Sequence, residues 1–149
     1  MRGARSKTAV ILLVEDDPDY QRLTKRALEA GGIPNELFVV DDGEQALDYL
    51  YRRGEFADPN LSPRPDLILL DLNLPKLDGR AVLKTIKQDP ELRRIAVVVV
   101  STSCDEKDVL LSYELGVNSY VTKPSQMDSF MKAIRDLHYY WFDVAMLSG

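Results

Sequence analysis

Pro65-Asp66-Leu67-Ile68-Leu69-Leu70-Asp71-Leu72-Asn73-Leu74-Pro75 decides the fold. Four aliphatic residues run from Leu67 to Leu70 without polar alternation and end on an acid. A strand with no polar face is covered on both sides, which suits the centre of a parallel sheet. Asp71 then stands where the strand leaves the core. That carboxyl end is the edge at which open α/β sheets bind ligands. A lone acid there also serves as a cap for the next turn, so the surrounding chain has to decide between the two roles.

Upstream, Ala9 to Val14 is a second all-apolar strand, and it too ends in acids: Glu15, Asp16 and Asp17. Pro18 suits the first turn of a helix, with Asp17 as its cap rather than as a metal ligand. Tyr20, Leu23, Ala27 and Leu28 recur at helical spacing until Gly31-Gly32. Glu36 to Val40 reads as a short strand, and Asp41-Asp42-Gly43 turns it into a helix carrying Ala46, Leu47, Tyr49 and Leu50. Arg53 to Arg64 reads as a loop, longer than most strand-to-helix connections. Downstream, a helix with Val82, Leu83 and Ile86 is broken at Asp89-Pro90. Ile95 to Val100 is a strand stopping at Ser101-Thr102-Ser103, and Asp105 to Leu115 a helix closed by Gly116. Ser119 to Thr122 is a short strand before Lys123-Pro124, and a last helix runs from Asp128 to about Ala145. Strand and helix alternate five times. This predicts an α/β fold: a single doubly wound, five-stranded parallel sheet with right-handed crossovers. One domain over 9–149 follows a flexible N-terminus at 1–8.

The 149 residues are 45% apolar and 29% charged, as expected of a folded domain. The net charge of −5 disfavours nucleic acid as a partner. No stretch approaches the apolar length of a membrane span, Met1 to Lys7 do not read as a signal peptide, and Cys104 is the only cysteine. A cytoplasmic protein is the simple reading.

All strands of a parallel sheet end on one side, so that edge receives Glu15, Asp16, Asp17, Asp71, Ser101 and Lys123. Crowded carboxylates repel one another, raise their own pKa values and suit a hard cation. An oxygen-only donor set points to Mg²⁺. Lys123 and the Ser101 hydroxyl suit phosphoryl oxygens. Together these are the parts needed to move a phosphoryl group onto an aspartate.

Several motifs carry a resemblance. Ile11-Leu-Leu-Val-Glu-Asp-Asp-Pro18, the stretch from Pro65 to Pro75 with Asp78-Gly79 behind it, Val100-Ser-Thr102 and Ser119-Tyr-Val-Thr-Lys-Pro124 resemble the receiver domain of two-component response regulators. The resemblance runs from about Ala9 to Ile134. It implies the flavodoxin-like (βα)5 receiver fold with an extended C-terminal helix. It further implies Asp71 as phosphoacceptor, and Glu15, Asp16, Asp71 and the Asn73 carbonyl as the Mg²⁺ site. Lys123 would pair with the phosphoryl group, Ser101 and Tyr120 would switch, and Asn73 and Ser103 would tune dephosphorylation. Glu15 stands where Asp is commoner and Ser101 where Thr is commoner. The Asp58-to-Arg64 insert, the Asp-Leu-Asn-Leu-Pro wording and the aromatic tail resemble the stand-alone response regulators of phytochrome histidine kinases. Such a kinase is the implied partner.

Met127, Phe130, Met131, Ile134, Leu137 and Trp141 form one stripe of the last helix. His138-Tyr-Tyr-Trp-Phe142 and the residues after it are apolar nearly all round, more than one small domain can cover. A homodimer through the tail at about 138–149 is therefore expected, with His138 a surface or interface residue. Three rivals stand beside the phosphorylation switch. A magnesium phosphohydrolase using Asp71 needs a second acid two residues on, where Asn73 stands. A phosphate-independent interaction module is expected to have lost Asp71, Asp16 or Lys123, and all are present. A flavin protein needs a phosphate-cradling loop that the sequence lacks. The switch is not expected to be an enzyme beyond its own phosphorylation and dephosphorylation.

Overall fold

The all-apolar strands are apolar because they serve two cores. Leu12, Val14, Ile68 and Leu70 pack into one cluster with residues of two helices, Ala46, Tyr49, Val82, Leu83 and Ile86 among them. Their alternate neighbours Ile11, Leu13, Leu67 and Leu69 pack into the other, with Leu23, Ala27 and Leu28. Each buried aliphatic side chain is worth about 1.5–3 kcal/mol relative to exposure, and neither face of the central strand leaves room for a charge.

The computed structural model describes residues 8–30, 34–102 and 105–123, together with Lys132 and Asp136. The elements are β1 (Ala9–Val14), α1 (Pro18–Ala30), β2 (Asn35–Val40), α2 (Gly43–Tyr51), β3 (Leu67–Leu70), α3 (Gly79–Gln88), β4 (Ala96–Ser101), α4 (Glu106–Glu114) and β5 (Ser119–Thr122). The strands pair in parallel in the order β2-β1-β3-β4-β5, with β3 central. Asp66 fixes the register at the lower edge. Its carboxylate accepts from the Val10 amide at 2.8 Å, and its own amide donates to the Val10 carbonyl at 2.7 Å.

Aspartates start the helices as the sequence suggests. Asp42, Asp78 and Asp105 accept from the amides of Gln45, Arg80 and Lys107 at 2.8, 3.0 and 2.9 Å, each worth about 1 kcal/mol. The Asp17 carboxylate accepts from the Asp19 amide at 2.9 Å, the capping role expected of it.

Several boundaries differ from the sequence reading, the start of β4 at Ala96 rather than Ile95 among them. β2 begins at Asn35 and α4 runs from Glu106 to Glu114 with Asp105 as its cap. Ser101 is the last residue of β4 rather than the start of a loop, because it pairs with Thr122 of β5. The segment after α2 is not a bare loop. It holds a 3-10 turn at Gly54–Phe56, and the Phe56 ring lies 5.5 Å from that of Tyr49. The Tyr49 hydroxyl donates to the Pro63 carbonyl at 2.8 Å, and the Ser62 hydroxyl to the Phe56 carbonyl at 2.8 Å. Of the last helix, Lys132 and Asp136 are helical and form an exposed pair at 2.9 Å. Its apolar stripe, the tail at 138–149, Ser103 and Pro124 lie outside the described residues.

Candidate functional site

The carboxyl ends of β1, β3 and β5 bring three charged side chains into contact. Each is set by sheet bonds continuing past its strand. The Glu15 amide donates to the Val40 carbonyl at 3.1 Å, the Asp71 amide to the Val14 carbonyl at 3.1 Å, and the Lys123 amide to the Ser101 carbonyl at 2.7 Å. The Lys123 ammonium donates to Asp71 Oδ2 at 3.0 Å and forms an ion pair with Glu15 Oε1. Its side chain is only 3% exposed. The third direction of the ammonium is taken by the face of the Tyr20 ring, 4.2 Å from its centre.

The remaining carboxylate oxygens are also held. Asp71 Oδ1 accepts from the Asn73 amide at 3.0 Å, and Glu15 Oε2 from the Asp17 amide at 3.1 Å. Gln21 donates to the Glu15 carbonyl at 2.6 Å and to Asp41 at 2.7 Å, tying the acidic turn to the β2–α2 connection.

Burial pushes the Glu15 carboxyl up to about 7, and the Asp71 charge adds a smaller push, against the pull of Lys123. The sequence reading named only the repulsion of like charges. The structure makes burial the larger cause, because Glu15 is deep and its nearest charge is a cation. Burial also works against the Lys123 ammonium, but its bonds to Glu15 and Asp71 outweigh that and hold its pKa above the usual lysine value. Lys123 therefore stays charged, and Glu15 is the member of the pair that titrates near neutrality.

Glu15, Asp16 and Asp71 each present a carboxylate oxygen, and these oxygens lie within 4.8 Å of one another. Asp16 is exposed, whereas Glu15 and Asp71 are buried, so the cluster opens to solvent on one side. Three carboxylates against one ammonium leave two negative charges when all are ionised. The donor set is oxygen only, as a hard divalent cation requires.

Ser101 is fully buried at the end of β4. Tyr120 is half-buried on β5 and packs against the α2/α3 core. The Asn73 side chain is exposed beside Asp71.

Two residues of the site escaped the sequence reading. The spacing of Tyr20 suggests plain helix packing, and nothing local announces a lysine 103 residues later. Arg80 follows Asp78-Gly79 and forks onto Asp108 of α4 at 2.7 and 2.6 Å. Only its place directly after a strand-end loop hinted at a role. Its pairing with Asp108 and Asp78 holds its pKa above the ordinary arginine value.

The chain matches the family model described as response regulator receiver domain over residues 11–135. It is 47% identical over 138 residues to the response regulator Rcp1 of Synechocystis sp., covering 93% of this chain and 92% of that protein. The structure is similar to the Mn²⁺-bound form of Rcp1, with a TM-score of 0.86 and 47% identity over 91% of this chain and 96% of that one. It is also similar to the phosphorylated cyanobacterial phytochrome response regulator RcpA, with a TM-score of 0.85 and 46% identity over 91% of this chain and 94% of that one.

Proposed function

The chain belongs to the response regulator receiver family, whose general property is phosphorylation on an aspartate, and on that premise we propose that Asp71 is the phosphoacceptor. The observation that carries the assignment is the meeting of Glu15, Asp71 and Lys123 from three separate strand ends. A histidine kinase supplies the phosphoryl group. The likeness to Rcp1 and to a phytochrome response regulator supports a kinase of the phytochrome type.

The carboxylate of Asp71 attacks phosphorus in phosphohistidine. The new O–P bond forms as the P–N bond breaks, and the nitrogen keeps the electron pair and takes up a proton. Lys123, already 3.0 Å from Asp71, balances charge gathering on the phosphoryl oxygens. Glu15, Asp16, Asp71 and the carbonyl of Asn73 hold a divalent cation, which we take to be Mg²⁺. The oxygen-only donor set fits it, and the Mn²⁺-bound form of Rcp1 supports a metal there. When bound, the ion neutralises the acceptor and transferred oxygens.

Ser101 then follows the phosphoryl group, and Tyr120 changes its packing with it. Asn73 and Ser103 tune hydrolysis. The chemistry acts on the chain itself, so the protein is a switch rather than an enzyme with an outside substrate. We read 9–149 as one receiver unit that works in the cytoplasm. No helix of the described residues is long and apolar enough to cross a membrane. The net charge of −5 supports a protein rather than a nucleic-acid target, and the sequence of 138–149 supports a homodimer.

Incubation with acetyl phosphate and Mg²⁺ should add one phosphoryl group by intact mass, and Asp71→Asn should add none. An Asp71→Asn variant that labels like the parent removes the assignment.

A further inference from the structure

Arg80 is joined to two parts of the molecule at once. Its Nε and Nη2 fork onto the Asp108 carboxylate of α4 at 2.7 and 2.6 Å. Its Nη1 donates to Asp78 at 3.0 Å and to the Leu72 carbonyl at 3.4 Å, and Nη2 reaches the Asn73 side-chain oxygen at 3.5 Å. Leu72 and Asn73 are the two residues that follow Asp71, and the Asn73 amide is itself bonded to Asp71. One guanidinium therefore spans the acceptor loop and a helix 28 residues away. The pair is shielded, with Asp108 14% and Arg80 31% exposed. By contrast α4 has little grip of its own: Ser112 is its one buried residue, and Leu110, Leu111 and Tyr113 are exposed.

We propose that Arg80 is a latch that holds α4 through Asp108 while Asp71 is unmodified and lets it go when Asp71 carries a phosphoryl group. The proposal rests on the reading of Asp71 given above. A guanidinium forks onto phosphoryl oxygens as readily as onto a carboxylate. A phosphoryl group offers three acceptor oxygens and more charge than the single carboxylate of Asp108. The competing anion would arise on the residue whose neighbours Leu72 and Asn73 Arg80 already touches. The fork thus has differential affinity for the two states, as a switch requires. Arg80 acts through Asp108 and is a positioning residue, not a catalytic one.

The test is hydrogen exchange of α4 amides in the full chain with Mg²⁺, with and without acetyl phosphate. It compares the parent, Asp108→Asn and Arg80→Lys, and counts phosphoryl groups by intact mass in the same samples. In the parent, phosphorylation should speed α4 exchange several-fold. Asp108→Asn should exchange that fast beforehand and gain nothing more on phosphorylation. Arg80→Lys, which keeps the charge but loses the fork, should behave likewise, and unchanged β1 and β3 amides will report an intact sheet. A merely structural ion pair would shift both states alike, so a preserved phosphorylation effect in Asp108→Asn overturns the latch. So does a fully phosphorylated parent whose α4 exchange is unaltered. A parent that gains no mass removes the Asp71 reading first, and the latch with it.

Discussion

The ammonium of Lys123 sits over the face of Tyr20, 4.2 Å from the ring centre, while its other contacts are the carboxylates of Glu15 and Asp71. The ring comes from the first turn of α1 and the lysine from the end of β5, so two distant elements fix one cation. The contact is neutral, and it leaves the positive charge available to an incoming phosphoryl group. A third carboxylate in that place would not.

Replacing Tyr20 should therefore slow phosphoryl uptake without abolishing it. A shielded cation–π contact is worth about 1 kcal/mol, which corresponds to about a fivefold change in rate. Tyr20→Leu should lose that factor in uptake from acetyl phosphate, followed by intact mass. Tyr20→Phe keeps the ring face and should stay within about twofold of the parent. Equal losses in the two variants would assign the effect to the hydroxyl instead.

The sheet and the acidic rim were legible in the sequence because each has a local signature. Leu67 to Leu70 lack polar alternation since both faces are covered, and an acid directly after such a run has to lie at the strand end. Tyr20 and Arg80 were not legible, since their partners lie 103 and 28 residues away and their own spacing suits plain helix packing. The order within the 53–64 segment was missed for a similar reason. Ser62 bonds to backbone carbonyls of Phe56 and Asp58, and no side-chain pattern encodes such contacts. The apolar run stops at Val100, so the sequence ends the strand before Ser101, but the ladder to Thr122 keeps Ser101 in β4.

Gly79 is required by contact rather than by backbone angle. A Cβ there would lie 2.2 Å from the Asp71 carbonyl oxygen and 2.6 Å from the Leu72 Cα, both backbone atoms that cannot swing aside. The Gly79 amide also donates to the Leu72 carbonyl at 2.9 Å, which closes the acceptor loop onto α3. Gly79→Ala should cost about 2–3 kcal/mol by overpacking and lower the melting temperature by about 5–10 °C. Uptake of phosphate should slow as well, since the shifted atoms belong to Asp71. A calorimetric scan matching the parent would show that the loop yields more easily than its geometry indicates.

Glu15 should make the metal-free protein less stable as pH rises through the weakly acidic range. Burial keeps its native carboxyl protonated up to about 7, whereas in the unfolded chain the same carboxyl ionises at its ordinary value of about 4.5. Between those values the native state binds more protons than the unfolded state, so unfolding free energy falls with rising pH. The stabilisation is complete below about 4.5 and gone above about 7, and it amounts to about 3 kcal/mol at most. The parent-minus-variant difference reports the Glu15 carboxyl together with its coupling to Lys123. Urea midpoints at pH 5 and 7.5 in EDTA should drop more for the parent than for Glu15→Gln. Saturating Mg²⁺ favours the ionised carboxyl and should shrink that drop in the parent while changing the variant less. Parallel pH slopes for parent and variant in EDTA would mean that Lys123 keeps Glu15 ionised despite its burial.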